Sequence, residues 1–206
     1  MGRQKHNKLR IGIDIDNVVI NSTQAVIDYY NSHTGDSLCI EDIKTYDMAN
    51  YVQDEYRDDF YSLFWREEAI KNAQPLPYCI ETIKALYEQG CEIYFVTATC
   101  PANLNFKYKM LCDMFPFLNV YQSLISAYNK QVIDIDVLID DCWDNTKGGY
   151  YTILLDYPWN VNYDDAQYEN VYRVPDWKYV MPMIEYIEKM LWLNRCENEK
   201  DKYPKI

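Results

Sequence analysis

RIGIDIDNVVINS, residues 10 to 22, is the stretch on which the reading of this chain turns. Leu9 to Ile15 is almost wholly apolar and does not alternate with polar residues, the pattern of a central parallel strand covered on both faces. Yet the strand ends on two aspartates, Asp14 and Asp16, with only Ile15 between them. Alternation along a strand puts residues two apart on one side, so the pair is expected to face a shared ligand while Ile15 packs away.

Further apolar runs resemble the first: Glu92 to Ala98, Asp136 to Asp140, Thr152 to Asp156 and, more weakly, Asn170 to Val174. Helical spacing separates them. It is clearest at Tyr78 to Gln89, which Gly90 stops, and at Ala102 to Phe115, where Leu104, Tyr108, Leu111 and Phe115 share a side behind Pro101. Val180, Met183, Ile184, Ile187 and Leu191 stripe a last helix. Strands alternating with helices imply a doubly wound α/β core with a parallel sheet. Residues 21–74 break the alternation, reading as helices and loops rich in Tyr, Phe and Trp, with Ser22 or Thr23 as the helix cap. The expected organisation is a core of residues 1–20 and 75–206 with a small helical cap, residues 21–74, inserted after the first strand.

Composition removes several classes of function. The net charge is −12 and no run of Lys or Arg occurs, so a nucleic-acid polymer is not the expected partner. The basic opening residues lead into no apolar run of signal-peptide length, and residues 179–193 are too short and charged to span a bilayer. A protein off the membrane is expected. Seven cysteines (39, 79, 91, 100, 112, 142 and 196) form an odd set with no CxxC pair, which suits reduced thiols and a cytoplasmic location.

In an open α/β sheet the ligand crevice lies beyond the carboxyl ends of the strands. There the first strand delivers Asp14 and Asp16, the second Thr97 and Thr99, and the third Asp140 and Asp141. Unit charges about 4 Å apart repel by roughly 4 kcal/mol at an effective dielectric near 20, so such a gathering of carboxylates asks for a divalent cation. All-oxygen ligands with open positions suit Mg²⁺. The cation would let an anionic phosphoryl group approach Asp14 as nucleophile, with Asp16 protonating the leaving alcohol and later activating water. His6 and His33 lie outside the core strands and give histidine catalysis little support. Lys130 is the expected fixed cation for phosphate, with Thr97 donating a hydrogen bond; Lys107 and Lys109 are rivals, read as solvated helix surface.

Taken in order, D-I-D-N-V-V after a strand, Thr97 after a strand, Lys130, and D-D after a strand resemble the four motifs of the haloacid dehalogenase-like phosphohydrolases. The PLP at residues 75–77, the interval from Lys130 to Asp140, and LDYPWN at 155–160 resemble the 5'(3')-deoxyribonucleotidase family within that superfamily. The resemblance implies a Rossmann-like core, a helical cap, Mg²⁺ dependence and hydrolysis of nucleoside monophosphates, here a deoxynucleoside monophosphate. It further implies Asp14 and Asp141 as metal ligands, Asp16 binding metal through its carbonyl, and Asp140 in support or through water.

Two positions depart from that pattern: Ala98 follows the motif threonine where a hydroxyl is frequent, and Tyr128 stands where an arginine can occur. Thr99 is the compensating phosphate ligand for the first. Aromatic stacking would read a base, and Phe64 and Trp65 are the substrate-binding candidates among the cap aromatics. The oligomeric state is left open, a homodimer being admissible. A phosphorylation-receiver module fits less well, since receivers lack a long insertion. A nucleotide-binding scaffold without turnover, or a phosphatase of another small phosphomonoester, is the remaining alternative.

Overall fold

The computed structural model describes residues 8–201. Six strands form one sheet: β1 (Arg10–Ile13), β2 (Glu92–Thr97), β3 (Leu124–Ser126), β4 (Val137–Asp140), β5 (Tyr151–Leu155) and β6 (Val171–Val174). The helices are α1 (Ser22–Thr34), α2 (Glu67–Ile70), α3 (Cys79–Glu88), α4 (Pro101–Met114), α5 (Val120–Ser123) and α6 (Val180–Asp201). Every pairing is parallel and the strand order is β3-β2-β1-β4-β5-β6. This is a doubly wound order whose direction reverses between β1 and β4, where a ligand crevice forms.

β1 sits at the centre because it is apolar on both faces: Ile11 and Ile13 are wholly buried and Gly12 lies between them. A Cβ on Gly12 would come 2.5 Å from Ile135 Cδ1, so the glycine permits the close approach of the segment leading into β4. Ile83 and Leu86 of α3, Leu111 of α4, and Val180, Ile184 and Ile187 of α6 pack with the sheet in one core cluster. At the amino end of the sheet, Arg10 and Asp136 tie β1 to β4. Asp136 accepts from the Arg10 backbone N–H (2.9 Å), Nε (3.2 Å) and Nη2 (3.1 Å), and both residues are buried.

β1 ends two residues earlier than its apolar run predicts, at Ile13. From there the chain turns tightly, with the N–H groups of Val18, Val19 and Ile20 all donating to the Ile15 carbonyl. Asn17 takes a left-handed backbone, φ 57°, which asparagine tolerates better than most residues. The N-cap position of α1 is Asn21, not Ser22 or Thr23, and it makes no side-chain cap bond; the Asn17 side-chain oxygen accepts from the Thr23 backbone N–H (3.0 Å) instead. β3 has no counterpart in the sequence expectation; it is three residues long, half-exposed and at the sheet edge.

Between α1 and α3 the chain forms short 3-10 turns and α2 around a second apolar cluster, including Ile27, Tyr30, Ile43, Phe60 and Ile70. Trp159, from the segment after β5, is buried in that same cluster. Isolated bridges Asp16–Ile20 and Ile20–Pro75 bring the two ends of the segment together beside β1.

Arg10 also pairs with the exposed Asp134 at 2.9 Å, so removing Asp136 weakens its neutralisation without abolishing it. Asp136→Ala is therefore expected to lower stability by roughly 1–3 kcal/mol, measured as a shift of the urea midpoint at unchanged slope.

Candidate active site

The carboxyl ends of β1 and β4 meet at the reversal of strand order. Asp14 follows β1, its N–H donating to the Ile139 carbonyl (2.9 Å), and Asp140 ends β4 with Asp141 next in the chain. One oxygen from each of Asp14, Asp140 and Asp141 lies within 4.8 Å of the others, and all three residues are buried. Lys130, in the turn between β3 and β4 and 2% exposed, reaches Asp14 Oδ1 and Asp140 Oδ2, each at 2.8 Å. The ten-residue interval between Lys130 and Asp140 thus closes into a direct contact.

Three carboxylates around one ammonium leave a formal excess of two negative charges. Burial, opposed by the Lys130 ammonium and reinforced by the Asp140 and Asp16 charges, pushes Asp14 up from 3.8 to about 7. Burial together with the charges of Asp140 and Asp14 raises Asp141 well above the aspartate range. Burial alone would discharge Lys130, but Asp14 and Asp140 outweigh it and hold the ammonium above the ordinary lysine value. A cluster that is both dry and over-charged, with oxygen donors only, is chemically suited to a hard divalent cation.

The two adjacent aspartates differ in what remains free. Asp140 Oδ1 accepts from the Cys142 N–H (2.8 Å) and Asn145 Nδ2 (3.1 Å), and Oδ2 from Lys130 and Asn145, so both oxygens are committed. Asp141 Oδ2 accepts from Asn17 Nδ2 and Trp159 Nε1, both at 3.2 Å, while no donor among the described residues reaches Oδ1. Asn17, Asn145 and Trp159 were not expected; only the asparagine next to DxD carried any local signal, its suitability for a left-handed turn.

The side chain of Asp16 stands outside the three-carboxylate cluster that Asp14 joins, although both residues line the same cavity. The strand has already ended at Ile13, so alternation no longer sets directions here. Asp16 Oδ2 instead pairs with Lys107 Nζ, while its Oδ1 is buried without a hydrogen-bond partner. Lys107 also donates to Thr97 Oγ1 at 3.1 Å and is 1% exposed, which overturns its reading as solvated surface. The buried residues of α4 are Asn103, Lys107 and Leu111: Leu111 is shared with the apolar line read in the sequence, while Asn103 and Lys107 each stand one position before Leu104 and Tyr108. Lys109, the other rival cation, is exposed as expected.

Above these groups lies a cavity of about 420 Å³. Asp14, Asp16, Lys130 and Asp141 line it from the core, Thr99 and Ala98 from the segment after β2. Tyr46, Phe64 and Trp65 line it from the inserted segment and Tyr128 from the loop after β3. Thr97 is fully buried beneath it. Phe64 meets Phe60 edge-on (6.1 Å, 82°), and its carbonyl accepts from Asn103 Nδ2 at 3.1 Å, so this wall is anchored to α4. Trp65 is 52% and Tyr128 93% exposed at the mouth. Burial and then the Asp141 charge raise the Tyr46 hydroxyl, which therefore stays protonated. A slightly larger cavity, about 480 Å³ around Tyr78, Leu155 and Trp177, holds none of the carboxylate cluster.

Residues 7–191 match the model of the family described as 5' nucleotidase, deoxy (pyrimidine), cytosolic type C. Among relatives, a 5'(3')-deoxyribonucleotidase of Clostridium acetobutylicum is 29% identical over 192 residues, covering 90% of this chain and 99% of that protein. One of Bacillus subtilis is 29% identical over 175 residues, covering 82% and 94%. Among solved structures, a haloacid dehalogenase-like family hydrolase from Xanthomonas campestris aligns with a TM-score of 0.54 at 12% identity, over 89% of this chain and 97% of that one. Another from Streptococcus pneumoniae aligns with a TM-score of 0.53 at 12% identity, over 86% and 98%. Likeness at that identity is one of fold.

The raised Asp14 fixes a sign. An acid whose folded-state pKa exceeds its unfolded value contributes stability below the unfolded value and loses it as pH climbs through the folded one. With no cation added, Asp14 is expected to cost the fold increasingly between pH 3.8 and about 7. Asp14→Asn lacks this dependence, so thermal melts across that range are expected to show the variant gaining on the parent as pH rises.

Proposed function

We propose that this chain, which belongs to the 5' nucleotidase, deoxy (pyrimidine), cytosolic type C family and so is a phosphomonoester hydrolase, dephosphorylates deoxyribonucleoside monophosphates with Asp14 as its nucleophile. The observation that carries this reading is the cavity floor. Asp14, ion-paired to Lys130 at 2.8 Å, stands beside two further carboxylates under a cavity walled by aromatic side chains. A carboxylate meets a phosphate dianion only where positive charge offsets both.

Asp14 and Asp141, with the Asp16 carbonyl, would hold Mg²⁺, and the open Asp141 Oδ1 against the fully engaged Asp140 favours Asp141 as the direct ligand, with Asp140 supporting through Lys130 and Asn145. When bound, the ion supplies charge that neutralises the cluster and the phosphoryl oxygens. An Asp14 oxygen attacks phosphorus, the bond to the leaving oxygen breaks, and Asp16 gives that oxygen a proton. Water then yields a proton to Asp16 and attacks phosphorus, so that the bond to Asp14 breaks and phosphate departs. Lys130 steadies the phosphoryl group and Thr99, on the cavity edge, provides the hydroxyl that Ala98 lacks, whereas Thr97, wholly buried and outside the cavity lining, accepts from Lys107 instead.

Residues 21–74 act as the cap over this floor. Phe64 and Trp65 offer faces on which a base can stack, an interaction worth about 1–3 kcal/mol per base. No described helix is long and apolar enough to cross a membrane, and the described cysteines are all unpaired, in keeping with a cytoplasmic setting.

Purified protein with Mg²⁺ is expected to release phosphate from at least one deoxyribonucleoside monophosphate in a panel covering 5' and 3' positions. Asp14→Asn should lose at least about 10⁴-fold in turnover; equal activity in parent and variant removes Asp14 as nucleophile. Mg²⁺ at about 100 times its Kd should stabilise the parent by ~2.7 kcal/mol, seen as a rise of several degrees in Tm, and should leave Asp141→Asn nearly unmoved.

A further inference from the structure

The ion pair between Lys107 and Asp16 has features that phosphate binding does not explain. Lys107 Nζ is enclosed by protein, bonded to Asp16 Oδ2 and to Thr97 Oγ1, and Lys107 does not line the cavity that Asp16 lines. The other oxygen of Asp16, Oδ1, is buried and has no hydrogen-bond partner. A buried carboxylate oxygen without a donor is unfavourable, so a free side chain would rotate to relieve it. Lys107 prevents this by holding Oδ2 from a helix that is itself pinned. One turn earlier on the same face, Asn103 donates to the Phe64 carbonyl (3.1 Å) and to Thr99 Oγ1 (3.4 Å).

We propose that Lys107 is a positioning residue for Asp16: by anchoring Oδ2 it holds the carboxylate at the cavity edge, where it takes a proton from the water that hydrolyses the phosphorylated enzyme. This rests on the hydrolase reading above. In that step water gives a proton to the Asp16 carboxylate while its oxygen bonds to phosphorus. The phosphorus–oxygen bond to Asp14 breaks, its electron pair returns to the Asp14 carboxylate, and phosphate leaves. Lys107 contributes through Asp16 and touches neither water nor phosphate.

Rapid-mix kinetics with p-nitrophenyl phosphate and Mg²⁺ test this, because that leaving group departs without needing a proton. Lys107→Met should release about one equivalent of p-nitrophenolate per enzyme at a near-parental rate and then turn over ~10²-fold more slowly. Asp16→Asn should behave alike. A burst slowed in proportion to the steady state would make Lys107 a phosphate ligand, and parental kinetics would make it inert; either overturns the proposal. A crystal structure of Lys107→Met without cation supplies a readout independent of activity, with Asp16 expected in a changed rotamer and an unmoved Asp16 counting against it. Should methionine prevent folding, Lys107→Gln, which keeps a donor in a similar volume, should give a burst with a milder slowing. If the parent releases no product from this ester or from any deoxyribonucleoside monophosphate, the hydrolase reading itself fails and takes this inference with it.

Discussion

The unbalanced charge at the carboxyl edge of the sheet governs the rest of the site. Asp14, Asp140 and Asp141 are brought together by β1 and β4, and Lys130 alone among the described residues places an ammonium between them. Well-packed apolar residues could replace such a cluster without loss of stability, and often with gain. Its presence is intelligible as the site proposed above, whose charge a cation would offset. The same charges that weaken the empty fold are the ones that attract a ligand able to discharge them.

The asymmetry between Asp140 and Asp141 shows how backbone position becomes chemical role. Asp140 is the last residue of β4 and turns inward, where the Cys142 N–H, Asn145 and Lys130 fill its oxygens. Asp141, one step beyond the strand, is held by two neutral donors on a single oxygen and keeps the other open. An oxygen held in place by two donors on its partner would lose little freedom on meeting the cation proposed above.

Much of this was legible in the linear sequence, and what was missed shares a cause. Apolar runs ending in acids announced β1 and β4, and Lys130 stood out because few cations lie near a strand start. β3 was invisible because three half-exposed edge residues form no apolar run. Lys107 was misread, and Asn103 passed over, because burial of a polar side chain depends on partners far away in sequence, Asp16 and Phe64 here, whereas helical periodicity records only apolar preference. The place of the Asp16 side chain outside the carboxylate cluster has a related reason: alternation holds only while the strand lasts, and the hydrogen bonds onto the Ile15 carbonyl end it.

Trp159 belongs to two regions at once. Its indole ring is packed within the apolar cluster of the inserted segment, stacked on Tyr157 at 4.4 Å, and its Nε1 is bonded to Asp141. A wholesale swing of that segment would have to bare the indole to water or pull a donor from the carboxylate. Freedom beside the cavity is therefore greatest at its rim, where Trp65 and Tyr128 stand half or almost fully in solvent.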